Sequence, residues 1–306
     1  TEGYHGMISQ VEGLAKALQT EFQHKIVRLN WPWNFIPPKL TPISEIILKD
    51  KHYINENKSF DLVISCGRKS VIPSAIIKKK NTNIFTIHIQ DPKVNYKNFD
   101  VIIAPEHDEL KGENVISSKG SIHYITQSEI EKAKNYLVNK FHNENVVSLI
   151  LGGPSKYYSF SNEDLTQVFR KIKSNFISQG YKALVIPSMR TPKRIIDLAM
   201  KEFVKVGFVV NTVDKQAYLS ALALATNIVV TCDSTSMISE AAASGKPIFV
   251  AHMKPKKNNY RFKKFFQLFK EMGITKELGD KVDNWTYNRL NEADRIATLM
   301  SKKLTN

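Results

Sequence analysis

Three small hydroxyl residues and a carboxylate, Ser234-Thr235-Ser236 and Glu240, directly follow the apolar run Asn227-Ile228-Val229-Val230-Thr231-Cys232-Asp233. The run is short, β-branched and bounded by polar residues, as a buried strand is. A helix that starts at the hydroxyl residues leaves its first N–H groups unpaired, and such a terminus suits a phosphate. Gly245 and Pro247 mark the end of that helix, so Glu240 lies on it. Together these features could hold both parts of a nucleoside diphosphate: phosphates at the helix start, ribose hydroxyls on Glu240. An ordinary strand–helix unit with a serine cap and a surface glutamate would use the same residues, so other groups must converge on the spot.

They are expected to do so at the C-terminal ends of further strands, where open parallel sheets bind ligands. In the second half these loops are Gly152-Gly153-Pro154-Ser155 and Ser188-Met189-Arg190-Thr191-Pro192. Glycine lets a backbone approach a ligand closely, and arginine can clamp a diphosphate through two N–H groups. Gly152, Gly153, Ser155, Arg190 and Thr191 therefore join Ser234, Thr235, Ser236 and Glu240 as the candidate nucleoside-diphosphate set. In the first half the loops hold His5 and Gly6, Gly67-Arg68, Gln90-Asp91-Pro92 and Glu106-His107-Asp108. His5, Asp91 and Asp108 are the candidate bases, in that order, because an unperturbed histidine titrates near neutrality. Gly6, Arg68, Gln90, Glu106 and His107 would line the same edge of the first sheet. Each loop has a plainer alternative as a tight turn or a helix cap.

Strand-like runs alternate with helical patterns of 10–15 residues along the whole chain, which argues for parallel sheets covered on both faces. Strands are predicted at 25–29, 62–66, 84–89, 101–104 and 114–116, then 146–151, 183–187, 208–210, 227–231 and 247–251. The fold class is α/β, with two Rossmann-like doubly wound domains facing a cleft. The polar stretch His142-Asn143-Glu144-Asn145 sets the boundaries: a first domain at 1–144, a second at 145–290, and an amphipathic tail at 291–306 that packs back on the first.

The chain has 306 residues, 42% hydrophobic and 24% charged, with a net charge of +15. No stretch approaches the ~18 apolar residues of a membrane span, and no basic-then-apolar leader is present. Thr1–Gly6 resembles the loop that leaves a first strand, so the start is read as truncated. Cys66 and Cys232 sit in separate apolar runs, as reduced cytosolic cysteines do. Residues 1–145 carry 19 basic and 16 acidic side chains and residues 146–306 carry 25 and 13, which concentrates the positive charge in the second half. Neither His5 nor His107 has metal-ligand spacing to another His or Cys, so no metal and no cofactor are expected. The absence of Walker, Gly-x-Gly-x-x-Gly, Gly-x-Ser-x-Gly and His-Glu-x-x-His motifs argues against nucleoside triphosphatases, Rossmann dehydrogenases and the common hydrolases.

One ordered set of blocks resembles a known family. It runs from His5-Gly6 and Gly13–Leu18 through Asp61–Arg68, Gln90-Asp91-Pro92 and Pro105-Glu106-His107-Asp108 to Leu151-Gly152-Gly153, Arg190-Thr191-Pro192 and Thr231–Ala241. In order and spacing it is similar to the mitochondrial-fission Elm (elongated mitochondria) family in its bacterial-type form. One departure is Met189, where a second arginine is expected. The resemblance implies a GT-B glycosyltransferase architecture with the acceptor on the first domain and the nucleotide-sugar on the second. The expected activity is metal-independent transfer of a sugar from a nucleotide-sugar to an acceptor. Alternatives are a non-catalytic membrane-surface adaptor that recruits division or remodelling proteins, and a nucleotide-sugar epimerase with acids on both faces of the sugar.

The segment Lys254–Lys270 bears on the acceptor. It holds seven basic residues and no acid, with Tyr260, Phe262, Phe265, Phe266 and Phe269 interleaved. That mixture suits an anionic membrane surface and a lipid-linked envelope acceptor. The expected location is cytoplasmic, peripheral on the inner membrane. A helix whose phenylalanines pack into their own domain would look the same. No nucleic-acid module accompanies the segment, so nucleic acid is not an expected partner, and oligomeric state is left open.

Overall fold

A computed structural model describes residues 1–51, 54, 60–279 and 282–304. The chain divides into two compact units, Thr1–Tyr124 with Asn291–Asn306, and Ile125–Leu290.

The first unit is built on a parallel sheet in the order β1 (Leu62–Cys66), β2 (Phe85–Ile89), β3 (Val101–Pro105) and β4 (Val115–Ser118). Its strands are buried on both faces, as βαβ crossovers require. Ile87, Ile89 and Ile103 pack with Val11 and Leu14 of α1 (His5–Ala17) and with Ile296 and Met300 of the C-terminal helix (Glu292–Leu304). Ile102 and Phe99 pack on the other face with Val71, Ile72 and Ile76 of α2 (Val71–Lys80). The tail is pinned electrostatically as well. The buried Glu292 carboxylate accepts from the Lys119 amide at 2.7 Å and pairs with Arg295, which donates to the Ser117 carbonyl at 2.6 Å.

The strand expected at 25–29 does not join this sheet. The Val27 amide donates to the Thr1 carbonyl and the Arg28 carbonyl accepts from the Lys49 amide, leaving one isolated antiparallel bridge, Leu29 to Leu48.

The second unit carries a six-stranded parallel sheet in the order β10 (Thr275–Glu277), β9 (Ile248–Ala251), β8 (Asn227–Thr231), β5 (Val146–Leu151), β6 (Lys182–Pro187), β7 (Gly207–Val209). Numbered within the unit this is 3-2-1-4-5-6 read from β7, so the winding direction reverses between β5 and β8. That reversal opens a crevice beyond their carboxyl ends. β10 was not expected; three residues are too few to show a pattern.

The division between units falls at Tyr124/Ile125, earlier than the expected 144/145. The cause is helix α3 (Gln127–Leu137), whose Leu137 shares a core with Leu184, Ile186, Ala217 and Ala221. Ala217 and Ala221 lie on α6 (Lys215–Leu224), which follows α3, α4 (Asn162–Asn175) and α5 (Lys193–Phe203) in this unit. Ser220 Oγ on α6 accepts from the Leu137 amide at 3.2 Å, and the Tyr136 hydroxyl donates to Asp214 at 2.7 Å. The polar 142–145 stretch is thus a turn inside the second unit.

Candidate functional site

At the reversal of the second sheet, the ends of β5, β6 and β8 are tied together by one buried carboxylate. Asp233 accepts from Thr231 Oγ1 at 2.7 Å, from the Gly153 amide at 3.3 Å and from Arg190 Nη2 at 2.7 Å. Burial raises its pKa, and the Arg190 guanidinium opposes the rise. Asp233 was read only as the end of a strand; its role depends on partners 43 and 80 positions away. The Thr-x-Asp spacing at 231–233 was the signal available.

The two glycines are explained by the same convergence. A Cβ at Gly152 would stand 2.0 Å from Asp233 Oδ1, and one at Gly153 would stand 1.8 Å from the Arg190 carbonyl oxygen. Only glycine fits either position. Their small size therefore serves loop-to-loop packing, in addition to any ligand approach. The Thr191 hydroxyl donates to the carbonyls of Leu151 (2.8 Å) and Gly152 (2.9 Å) and accepts from the Ser188 amide (2.8 Å), so it positions the loop. Ser155 Oγ accepts from the amides of Tyr157 and Tyr158, both at 3.1 Å, and shapes a turn. Arg190 spends one donor on Asp233 and leaves its partly exposed guanidinium with donors to spare.

Ser234 caps α7 (Thr235–Ala242), its Oγ accepting from the Met237 amide at 3.4 Å. No acid occupies the first turn, which leaves the positive end of the helix uncompensated by its own side chains. Ser239 donates to the Thr235 carbonyl at 2.8 Å, and Thr235 and Ser236 are partly exposed beside it. Glu240 lies one turn further on. Its carboxyl is enclosed although the residue keeps some surface, and desolvation lifts its pKa to about 7. Tyr218 of α6 donates to its Oε2 at 2.9 Å. Tyr218 had not been singled out; the sequence carried no cue that α6 would present it to α7.

In the first unit, Gly67, Gln90 and Glu106 follow the ends of β1, β2 and β3, so the expected loops share one sheet edge. The individual side chains have other tasks. His5 is exposed at the start of α1, beside Gly6, with Nε2 3.1 Å from the Tyr124 hydroxyl. Arg68 donates to the carbonyls of Asn34 and Phe35. Gln90 adopts a positive φ of 85°. Asp91 is held by the amide and ammonium of Lys93, Glu106 pairs with Lys119, and the enclosed side chains of His107 and Asp108 approach to 3.6 Å.

The basic-aromatic segment folds mainly as α8 (Tyr260–Glu271). Phe265 and Phe269 are fully buried, and Phe262 packs at 5.3–5.6 Å from Tyr158 and Tyr157. Phe266 stacks edge-on with His252. Phe265 and Phe269 thus belong to the core of their own unit, Phe262 and Phe266 are partly buried beside them, and Tyr260 stands out from it. Among the described residues no helix is long and apolar enough to cross a membrane.

A family model described as Mitochondrial fission ELM1 matches residues 5–304. An uncharacterized protein, RP120, of Rickettsia prowazekii (strain Madrid E) is 28% identical, with 78% of each chain covered. The Mitochondrial fission protein ELM1 of Arabidopsis thaliana is 26% identical over 79% of this chain and 64% of its own length, so this chain spans somewhat less than two thirds of that relative. Among solved structures, the UDP-GlcNAc 2-epimerase from Methanocaldococcus jannaschii superposes over 98% of both chains with a TM-score of 0.50 at 13% identity, a likeness of fold.

Proposed function

Because the chain belongs to the mitochondrial fission ELM1 family and has two Rossmann-like, GT-B-like units, we propose that it is a metal-independent glycosyltransferase using a nucleotide-sugar donor. The observation that carries this is the coincidence of the strand-order reversal with Gly152–Gly153, the Arg190–Asp233 pair and the start of α7. Such a reversal is where doubly wound sheets hold phosphorylated ligands. The diphosphate would take the remaining donors of Arg190 and the backbone N–H groups at Ser234, Thr235 and Ser236. Glu240, oriented by Tyr218, would receive the ribose hydroxyls.

In the reaction, the bond between the sugar carbon and the diphosphate oxygen breaks and a bond to the acceptor oxygen forms. The negative charge on the departing diphosphate is met by fixed donors, which need no reorganisation. The acceptor's proton goes to a base, and of the candidates His5 alone is open to solvent, with Nε2 held by Tyr124. Asp91 is already paired with Lys93 and Asp108 is enclosed beside His107, which weakens both as bases.

A specific observation favours a second function, a non-catalytic adaptor. The loops at the reversal satisfy much of one another's hydrogen bonding, as in a site that has closed. Thermal stabilisation by UDP, ADP, GDP and CMP separates the two. A shift with at least one nucleotide, reduced in Glu240→Gln and Glu240→Ala, supports donor binding. No shift with any of them supports the adaptor, and free nucleotide released with candidate acceptors identifies the transferase.

A further inference from the structure

Among the described residues, four of the five most exposed large apolar side chains lie on the first unit, in the segment between Arg28 and Lys49. The backbone there pairs antiparallel: the Lys49 amide donates to the Arg28 carbonyl at 3.0 Å and the Asn30 amide to the Ile47 carbonyl at 2.7 Å, about the Leu29–Leu48 bridge. Leu48 and Ile47 are buried, and Trp33 packs against the cluster that contains them. Trp31, Phe35, Leu40 and Ile46 remain 81%, 72%, 70% and 68% exposed.

Four large apolar side chains this open on one short segment are unusual for a water-facing surface. The segment is not loose. Arg68 donates to the carbonyls of Asn34 (2.5 Å) and Phe35 (3.2 Å), the Thr41 hydroxyl donates to the Pro37 carbonyl at 3.0 Å, and Pro38 is buried. The lip is therefore held in place with its apolar residues outward.

Its charges are complementary to an anionic surface. Arg28, Lys39 and Lys49 are exposed and form no ion pair among the described residues, while the one acid within the lip, Glu45, is taken up by Lys80. Aromatic residues at an interface flanked by free cations match the headgroup region of an anionic bilayer, which combines apolar insertion with electrostatic attraction. On α8, by contrast, the phenylalanines are turned inward.

We propose that the Arg28–Lys49 lip, carrying Trp31, Phe35, Leu40 and Ile46, docks this protein on an anionic phospholipid surface. Docking of this kind would serve either a lipid-linked acceptor or a surface adaptor, and it does not depend on nucleotide binding.

The test is co-flotation of the full chain with vesicles of phosphatidylcholine containing about one-third phosphatidylglycerol, and with vesicles of phosphatidylcholine alone. The wild type is expected to float with the anionic vesicles and to release at high salt. Trp31→Ser/Phe35→Ser should weaken binding at least tenfold and Lys39→Glu/Lys49→Glu several-fold, with melting temperatures unchanged because all four residues are exposed. Lys257→Glu/Lys263→Glu on the other basic segment should leave it within twofold. Failure of the wild type to bind, binding unaffected by the lip variants, or loss only in the Lys257/Lys263 variant would overturn the proposal. So would a lip variant that converts a dimer to a monomer on size-exclusion chromatography, since the patch would then join two copies. Nucleotide-induced stabilisation, measured on the same variants, reports separately on the donor site.

Discussion

Asp233 Oδ2 lies 2.7 Å from Arg190 Nη2, joining the loops that leave β8 and β6 across the end of β5 between them. The carboxylate is fully buried while the guanidinium is partly open, so the pair fixes Arg190 in place and still leaves it donors for a ligand. Asp233→Asn should lower the stability of the second unit by about 2–3 kcal/mol, below the ~3–5 kcal/mol of a fully buried pair because the Arg190 guanidinium keeps access to water. It should also weaken any nucleotide-induced thermal shift. Urea unfolding of the variant with and without nucleotide measures both effects.

Gly153→Ala places a methyl 1.8 Å from the Arg190 carbonyl oxygen, which is backbone and cannot step aside cheaply. Overpacking of this kind costs about 1–3 kcal/mol or more. Gly180→Ala is the contrasting case: nothing lies within 4 Å of its Cβ position, but its φ of +85° makes the cost one of backbone strain alone. Comparing the two melting temperatures separates crowding from strain, and Gly153→Ala should lose more.

Glu240 gives the second unit a pH dependence of defined sign. Its pKa is about 7 when folded against an ordinary 4.5, so between those values the unfolded chain has lost a proton that the folded chain keeps. Stability from this group is therefore complete below about pH 4.5 and is lost as pH rises to about 7, a fall of about 3 kcal/mol. Glu240→Gln should remove that slope. The measurement is unfolding free energy at half-unit pH steps for both proteins.

His88 acts in the opposite direction in the first unit. It is buried, with Nδ1 2.9 Å from Ser65 Oγ, and desolvation pushes its pKa down to about 3. An unfolded histidine takes up a proton near pH 6.5 while this one does not, so the stability present above that pH is lost as pH falls toward 3. In His88→Gln the acid side of the profile should flatten, as read by intrinsic fluorescence during acid titration.

Burial pushes the thiols of Cys66 and Cys232 up to about 12, and Cys232 Sγ also accepts from the Met253 amide at 3.2 Å. Neither carries a useful thiolate fraction near pH 8. A thiol-reactive dye should label both only after unfolding, and rapid labelling of the native protein would contradict their placement.

The sheet of the second unit was the most legible part. β5 and β8 are fully buried runs dominated by β-branched and aliphatic residues, and such runs announce themselves; their ends then locate Gly152 and Ser234. The boundary at 124/125 was not legible, because the polar turn at 142–145 looks like a linker until α3 is seen docked on α6 through Ser220. Asp233 and Tyr218 were missed for a common reason: their roles are set by partners far along the chain, Gly153 and Arg190 for one and Glu240 for the other. The phenylalanines of α8 were ambiguous by nature, since a helical stripe does not say whether core or lipid faces it. The Trp31–Ile46 lip has no period at all, and only its exposure reveals it.

The most direct test of the central claim is a crystal structure of the protein soaked with a mixture of nucleoside diphosphates. The account predicts a pyrophosphate against Arg190 and the start of α7, with the ribose hydroxyls within hydrogen-bonding distance of Glu240. A nucleotide bound elsewhere, or crystals that take up none while the Gly152–Asp233–Arg190 cluster stays closed on itself, would contradict it.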